Sequence, residues 1–247
     1  ITPEAQAEAR ILMLGANNNL KPTDGNPIVT PGQDMILGNY YITIERADEP
    51  GEGRVFKNPN EALMAYERRE ITQHTRIAIP VSGFKYKLFT EEQSDKYLVT
   101  TVGKLKFNEI FPDTFQYINE GTKENIEGIT PNKYFLAKGT NIKEAIKELE
   151  LVKPFGKKVL TQLIAQIYKR YHTTETSIML DKMKDLGFKE STLSGISIGI
   201  GDIIASKNKE KILADATEKV AQVNKQFKRG LITDRERYEK VVKTWNN

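Results

Sequence analysis

Residues 209–245 read KEKILADATEKVAQVNKQFKRGLITDRERYEKVVKTW, and the apolar spacing of this stretch decides the architecture. Ile212, Ala216, Val220, Val223 and Phe227 recur at steps of four, four, three and four, the period at which one helix lays a seam against another. Gly230 breaks the pattern, and Tyr238, Val241, Val242 and Trp245 resume it. Thr233-Asp234-Arg235-Glu236 has the form of a capping box, in which hydroxyl and carboxylate satisfy backbone N–H groups at a helix start. With Arg229 to Thr233 as connection, the two helices are expected to run antiparallel as a coiled-coil-like hairpin over residues 206–247.

The hairpin is also where the charge sits. Residues 207–247 hold 11 Lys/Arg against 6 Asp/Glu, whereas everything before them sums to −1 within a net charge of +4. A solvated helical face accounts for such a run more often than a nucleic-acid surface does. An RNA-binding module would need exposed aromatics between the basic residues. Phe227, Tyr238 and Trp245 lie on the apolar stripe, so they are expected to pack.

Upstream, residues 1–205 are expected to form a mixed head. Thr2-Pro3-Glu4 is a helix start, with a cap, a proline at the first position and an acid toward the dipole. That helix should reach about Ala16 and stop at Asn17-Asn18-Asn19. Turns at 21–27 and at Pro31-Gly32 flank an extended Ile28-Val29-Thr30, after which Asp34 is expected to cap a helix through Tyr41. Residues 59–69 have helical spacing, while His74–Val81 and Tyr97–Val102 have the strand period. Lys104–Phe111 should be a short helix ended by Pro112. Residues 115–155 are polar and read as a peripheral excursion with a brief helix near Ile142–Leu149. A helix from about Val159 and another over Thr174–Leu186, ended by Gly187, lead to Ser194-Gly195-Ile196-Ser197-Ile198-Gly199-Ile200-Gly201-Asp202. The fold class is therefore α+β, a head of helices and short strands followed by the hairpin.

Chemistry-bearing constellations are scarce. The 247 residues contain no cysteine, which removes disulfides, thiolate zinc sites and cysteine nucleophiles and suits a reducing, cytoplasmic setting. No run of about 18 apolar residues exists, and Glu4, Glu8 and Arg10 stand where a signal peptide needs an apolar block. His172 with Glu175 lacks the further ligands of a zinc site, and His74 falls in an expected strand. Gly195, Gly199 and Gly201 match neither phosphate-binding spacing. Asp24, Asp34 and Asp202 are scattered beside turns, where aspartate serves the backbone. Ser191, Ser194 and Ser197 have no elbow motif or base. No self-contained enzyme is expected.

Five stretches in order resemble the largest (β′) subunit of bacterial RNA polymerase. They are Pro3 to Leu14 with Asn17-Asn18-Asn19; Val29 to Tyr41; Thr100 to Lys104 with Phe107-Asn108-Glu109-Ile110; Ser194 to Ile203; and Gln226 to Thr233 with Glu236-Arg237-Tyr238 and Trp245. The family usually has a serine where Gly32 stands, and residues 115–155 resemble its Firmicute form. The resemblance implies a piece of a DNA-directed RNA polymerase, a nucleotidyltransferase. The family's magnesium-binding Asn-Ala-Asp-Phe-Asp-Gly-Asp loop, zinc-binding cysteines, bridge helix and trigger loop are not in this sequence. The isolated chain is accordingly expected to be inactive, with the Mg²⁺ ligands outside it.

What remains corresponds to the family's pore, or secondary-channel, region and to its funnel with rim helices. The resemblance therefore implies channel-lining roles for Asn18, Gln33 and Asp34, although Asn18 as helix stop and Asp34 as cap are equally served by local structure. It also implies docking of transcript cleavage factors on the hairpin tip, Lys228, Arg229, Gly230, Leu231, Ile232, Thr233 and Asp234. Leu231 and Ile232 are apolar where a loop is ordinarily polar, and Ile232 alone has a staple partner, the stem of Arg237. Partners implied are the β, α and ω subunits, the rest of β′, nucleotides, and DNA and RNA through the assembly. Thr174 and Asp185 stand where family members use a basic residue and a tyrosine for guanosine tetraphosphate, so no such site is expected. A free-standing helical-hairpin adaptor is the alternative; a start at a helix cap and a stop just after the hairpin suit an excised piece better.

Overall fold

The computed structural model describes residues 2–85 and 87–246 in two compact units, Ile1–Ile196 and Ser197–Asn247. In the first unit, α1 (Pro3–Glu8) starts on the Thr2 hydroxyl and widens into a π turn over Ala9–Met13. It ends earlier than expected because the asparagines reach back. Asn17 donates to the Arg10 carbonyl at 2.9 Å and Asn18 to those of Leu12 and Leu14 at 3.0 Å, capturing carbonyls that another turn would need. Residues 28–30 form no strand; the loop is closed instead by the Leu20–Pro27 bridge and the Ile28 N–H on the Asn19 carbonyl.

Next come α2 (Gln33–Ile42) and α3 (Pro59–Glu67). Asn58 caps α3 through the Glu61 N–H at 2.9 Å. β1 (Arg76–Pro80) pairs antiparallel with β2 (Tyr97–Thr101), in register from Arg76 opposite Thr101 to Pro80 opposite Tyr97. His74 lies in the turn before β1 rather than in the strand. Thr101 caps α4 (Val102–Asn108) immediately after β2.

The polar stretch 115–155 is no periphery. It contributes α5 (Lys123–Glu127), the third strand β3 (Phe135–Leu136) on the β2 edge and α6 (Ile142–Glu148). Phe115, Tyr117, Ile118, Ile126, Tyr134, Ile146, Val152 and Phe155 from this stretch are all buried. Its polar residues pair inward: Asn125 donates to the Tyr117 carbonyl and accepts from the Asn119 N–H, and Gln116 donates to the Ile126 carbonyl. Buried polar groups are tolerated when they satisfy one another.

α7 (Lys157–Ser194) breaks at His172, where φ is 60° and ψ −157°, and then continues through Gly187 to end at Gly195 with φ 62°. Leu160, Leu163, Ile164, Ile167, Met179 and Met183 of α7 join Ile42, Phe107, Phe111, Phe115 and Phe155 in one core. A second core surrounds the sheet, with Ile77, Ile79, Leu98, Val102 and Tyr117. An ion pair lies inside the unit. Lys104 Nζ is 2.6 Å from Glu45 Oε1, with side chains 0% and 4% exposed, and Glu45 Oε2 accepts the Val152 N–H at 2.9 Å.

In the second unit, a 3-10 turn over Ile200–Asp202 precedes α8 (Lys209–Lys228) and α9 (Asp234–Asn246). The helices differ in length, 20 residues against 13. Ala216, Val220, Val223 and Val241 are half-buried, and neither helix has a fully buried residue.

Candidate functional site

The hairpin tip is built by two local devices. At the end of α8 the Leu231 N–H bonds the Gln226 carbonyl at 3.1 Å and the Gly230 N–H the Phe227 carbonyl at 2.8 Å. These are the two bonds of a Schellman motif, whose left-handed position Gly230 fills with φ 72°. At the start of α9 the Thr233 N–H bonds Glu236 Oε2 at 2.8 Å, and the Glu236 N–H bonds the Thr233 hydroxyl at 3.3 Å. The capping box thus forms as its sequence specifies. Arg237 reaches Asp234 at 2.8 Å and lies 5.2 Å from the centre of the Phe227 ring.

These devices leave Leu231 68% exposed while Ile232 and Arg237 are half-buried. Tyr238 and Trp245, expected to pack, are 66% and 52% exposed. A single pair of helices covers only the central seam, and residues rotated off it stay in solvent.

Asn18, Gln33 and Asp34 are all exposed, and each has a different local role. The Asn18 side chain bonds the Leu12 and Leu14 carbonyls of its own segment, so it shapes the chain's stop. Asp34 is in the first turn of α2 but does not cap it: Gly32 occupies the cap position, which carries no side-chain bond. An aspartate past the cap can favour the helix dipole only. Gln33 has φ 44°, a left-handed backbone at a non-glycine residue, which costs about 1–2 kcal/mol. Its side chain makes no hydrogen bond among the described residues.

Sequence reasoning missed the groups that hold this region together. Asn39 is buried on α2 and donates to the Met35 and Met183 carbonyls at 2.7 and 3.2 Å. Asn19, also buried, donates to Ser177 on α7 at 3.2 Å. The Asn-rich run was legible as a helix stop, but its third member's long-range bond had no local signal.

The aspartates present do not fit a magnesium ion. Asp24 accepts from the Asn26 backbone and amide, and Asp202 accepts the Gly199 N–H at 2.8 Å. Among the described residues, no three His, Asp or Glu side chains gather as a ligand set. No described helix is long and apolar enough to cross a membrane.

Residues 18–203 match the family model described as RNA polymerase Rpb1, domain 3. The chain belongs to that family. All of it aligns with proteins named DNA-directed RNA polymerase subunit beta′: it is 59% identical over 246 residues to that of Geobacillus kaustophilus, 58% over 248 to that of Bacillus cytotoxicus and 55% over 246 to that of Bacillus subtilis. The chain spans about a fifth of those relatives' length, 20–21%. The Rpb1 domain 3 match starts after α1 and ends at 203, while the alignments with the β′ subunits take in the whole chain, α8 and α9 included.

Proposed function

We propose that this chain is the pore and funnel region of a bacterial RNA polymerase largest subunit, acting in DNA-templated RNA synthesis in the cytoplasm. The observation that carries the reading is identity of 55–59% across the whole chain to β′ subunits, hairpin included. In this reading the β, α and ω subunits and the rest of β′ surround the head. The Mg²⁺ of nucleotidyl transfer is held by residues outside this chain, and no catalytic step is assigned to residues within it.

Gln33, with Asn18 and Asp34 shaping the same loop region, lines the secondary channel through which nucleotides enter. The strained backbone at Gln33 supports this, because strain at an exposed polar residue with no local partner marks functional positions more often than packing positions. The hairpin serves as rim helices. Its tip, Lys228 to Asp234, docks transcript cleavage factors with Leu231 as apolar anchor; an exposed leucine held up by two hydrogen-bonded caps supports that role.

The test is a chimera. Replacing the matching region of the Bacillus subtilis β′ subunit with this chain and reconstituting the enzyme is expected to preserve RNA synthesis on a DNA template. An assembled chimera that cannot elongate RNA would overturn the reading.

A further inference from the structure

The first unit contains a cavity of about 460 Å³ that the channel and docking roles leave unused. Phe84, Leu105, Phe111 and Tyr117 form its apolar wall, and two lysines, Lys85 and Lys87, and two carboxylates, Glu109 and Asp113, line it as well. Lys85 is exposed, whereas Lys87 is mostly withdrawn from solvent. The Lys87 ammonium has poor compensation for that burial. It donates to the carbonyls of Phe111 and Pro112 at 3.4 and 3.3 Å, both long, and no carboxylate of the described residues lies within ion-pair distance of it.

We propose that Lys87 is an acylation site, an amine presented inside a preformed cavity to small acyl phosphates. The apolar wall accepts the acyl group and keeps water off the nitrogen, while Lys85 supplies positive charge for the phosphate. The neutral amine adds to the acyl carbon; the carbon–oxygen bond to phosphate breaks with its electron pair, and the amine's proton leaves on hydrogen phosphate. The product is an amide on Lys87, which can no longer take up a proton beside Glu109 and Asp113.

Burial pushes the Lys87 amine down to about 8, against the opposing pull of Asp113 and Glu109, with Lys182 of α7 adding to the depression. At pH 7.5 roughly a quarter of such an amine is neutral, compared with about one part in a thousand for an ordinary lysine. Part of that advantage is lost because a less basic amine is a weaker nucleophile, leaving a rate gain on the order of tenfold.

The experiment treats the full chain with acetyl phosphate and follows each lysine by quantitative peptide mass spectrometry. Lys87 is expected to acetylate about tenfold faster at pH 7.5 than the exposed Lys57 and Lys153, with a rate that levels off above pH 8 while theirs keep rising. Asn60→Trp, which fills the cavity from α3, is expected to slow Lys87 alone, circular dichroism confirming the fold. The wild-type pH profile decides independently of any variant. Labelling of Lys87 no faster than Lys57 and Lys153, or a rate indifferent to the filled cavity in a folded variant, would overturn the proposal.

Discussion

Gly38 and Gly187 meet backbone to backbone: a Cβ added to Gly38 would lie 1.8 Å from the Gly187 carbonyl oxygen, and one added to Gly187 would lie 2.7 Å from that of Met35. α2 and α7 therefore cross at a separation that only two glycines permit. The Asn39 bond to the Met183 carbonyl ties the two helices beside the crossing. Gly38→Ala is expected to destabilise the chain by about 3 kcal/mol or more, measured by denaturant unfolding. Gly15→Ala, where a Cβ meets nothing within 4 Å, is the matched control and should be close to neutral.

The buried pair of Lys104 and Glu45 offers a second test. Lys104→Met leaves the Glu45 carboxylate in the core with the Val152 N–H as its remaining partner, and loss of one member of such a pair costs about 3–5 kcal/mol. The double substitution Lys104→Met with Glu45→Met removes both charges, so it should cost clearly less than the two single changes added together. Strict additivity would show that the pair is not coupled.

How much of this was legible in the sequence depends on the range of the interaction. α3, β1, β2 and the capping box at Thr233 follow from spacing within a few residues, and each formed close to its expected place. Gly187 did not act as a helix end, because a C′ glycine and a close-packing glycine look alike until the partner helix is known. Residues 115–155 misled for a similar reason. Asn119, Asn125 and Gln116 read as solvent-facing, but they are buried: Gln116 donates to the Ile126 carbonyl, and Asn125 donates to the Tyr117 carbonyl and accepts the Asn119 N–H. At the candidate site, Leu231 stood out locally as an apolar loop residue, whereas the left-handed backbone of Gln33 had no sequence signal.

His74 should make stability depend on pH. Its ring is 3% exposed, with Nδ1 3.1 Å from the Ile44 carbonyl and the Tyr41 ring edge-on at 4.7 Å. Burial holds its imidazole below the ordinary histidine value of 6.5, with Arg46 also lowering it and Glu49 and the Ile44 carbonyl opposing. The unfolded chain therefore takes up a proton before the folded one does, so stability is expected to fall as pH drops through 6.5. His74→Gln should flatten that limb relative to wild type in unfolding midpoints between pH 7 and about 5. An identical slope in the variant would assign the acid sensitivity to other groups.

For the proposed channel role, Gln33→Ala in the reconstituted polymerase should raise the apparent KM for nucleotides with kcat little changed, the pattern of lost ground-state binding. Unchanged steady-state kinetics would restrict Gln33 to shaping the start of α2.

The claim that the hairpin tip is a docking post is tested most directly by the affinity of a fluorescently labelled transcript cleavage factor, read by anisotropy, for reconstituted polymerase carrying Leu231→Asp. Loss of an exposed apolar anchor should weaken binding by about 1–3 kcal/mol, roughly fivefold to 150-fold, with the helicity of α8 and α9 intact. Wild-type affinity in that variant would contradict the account and move the docking surface from the tip to the flanks of the hairpin.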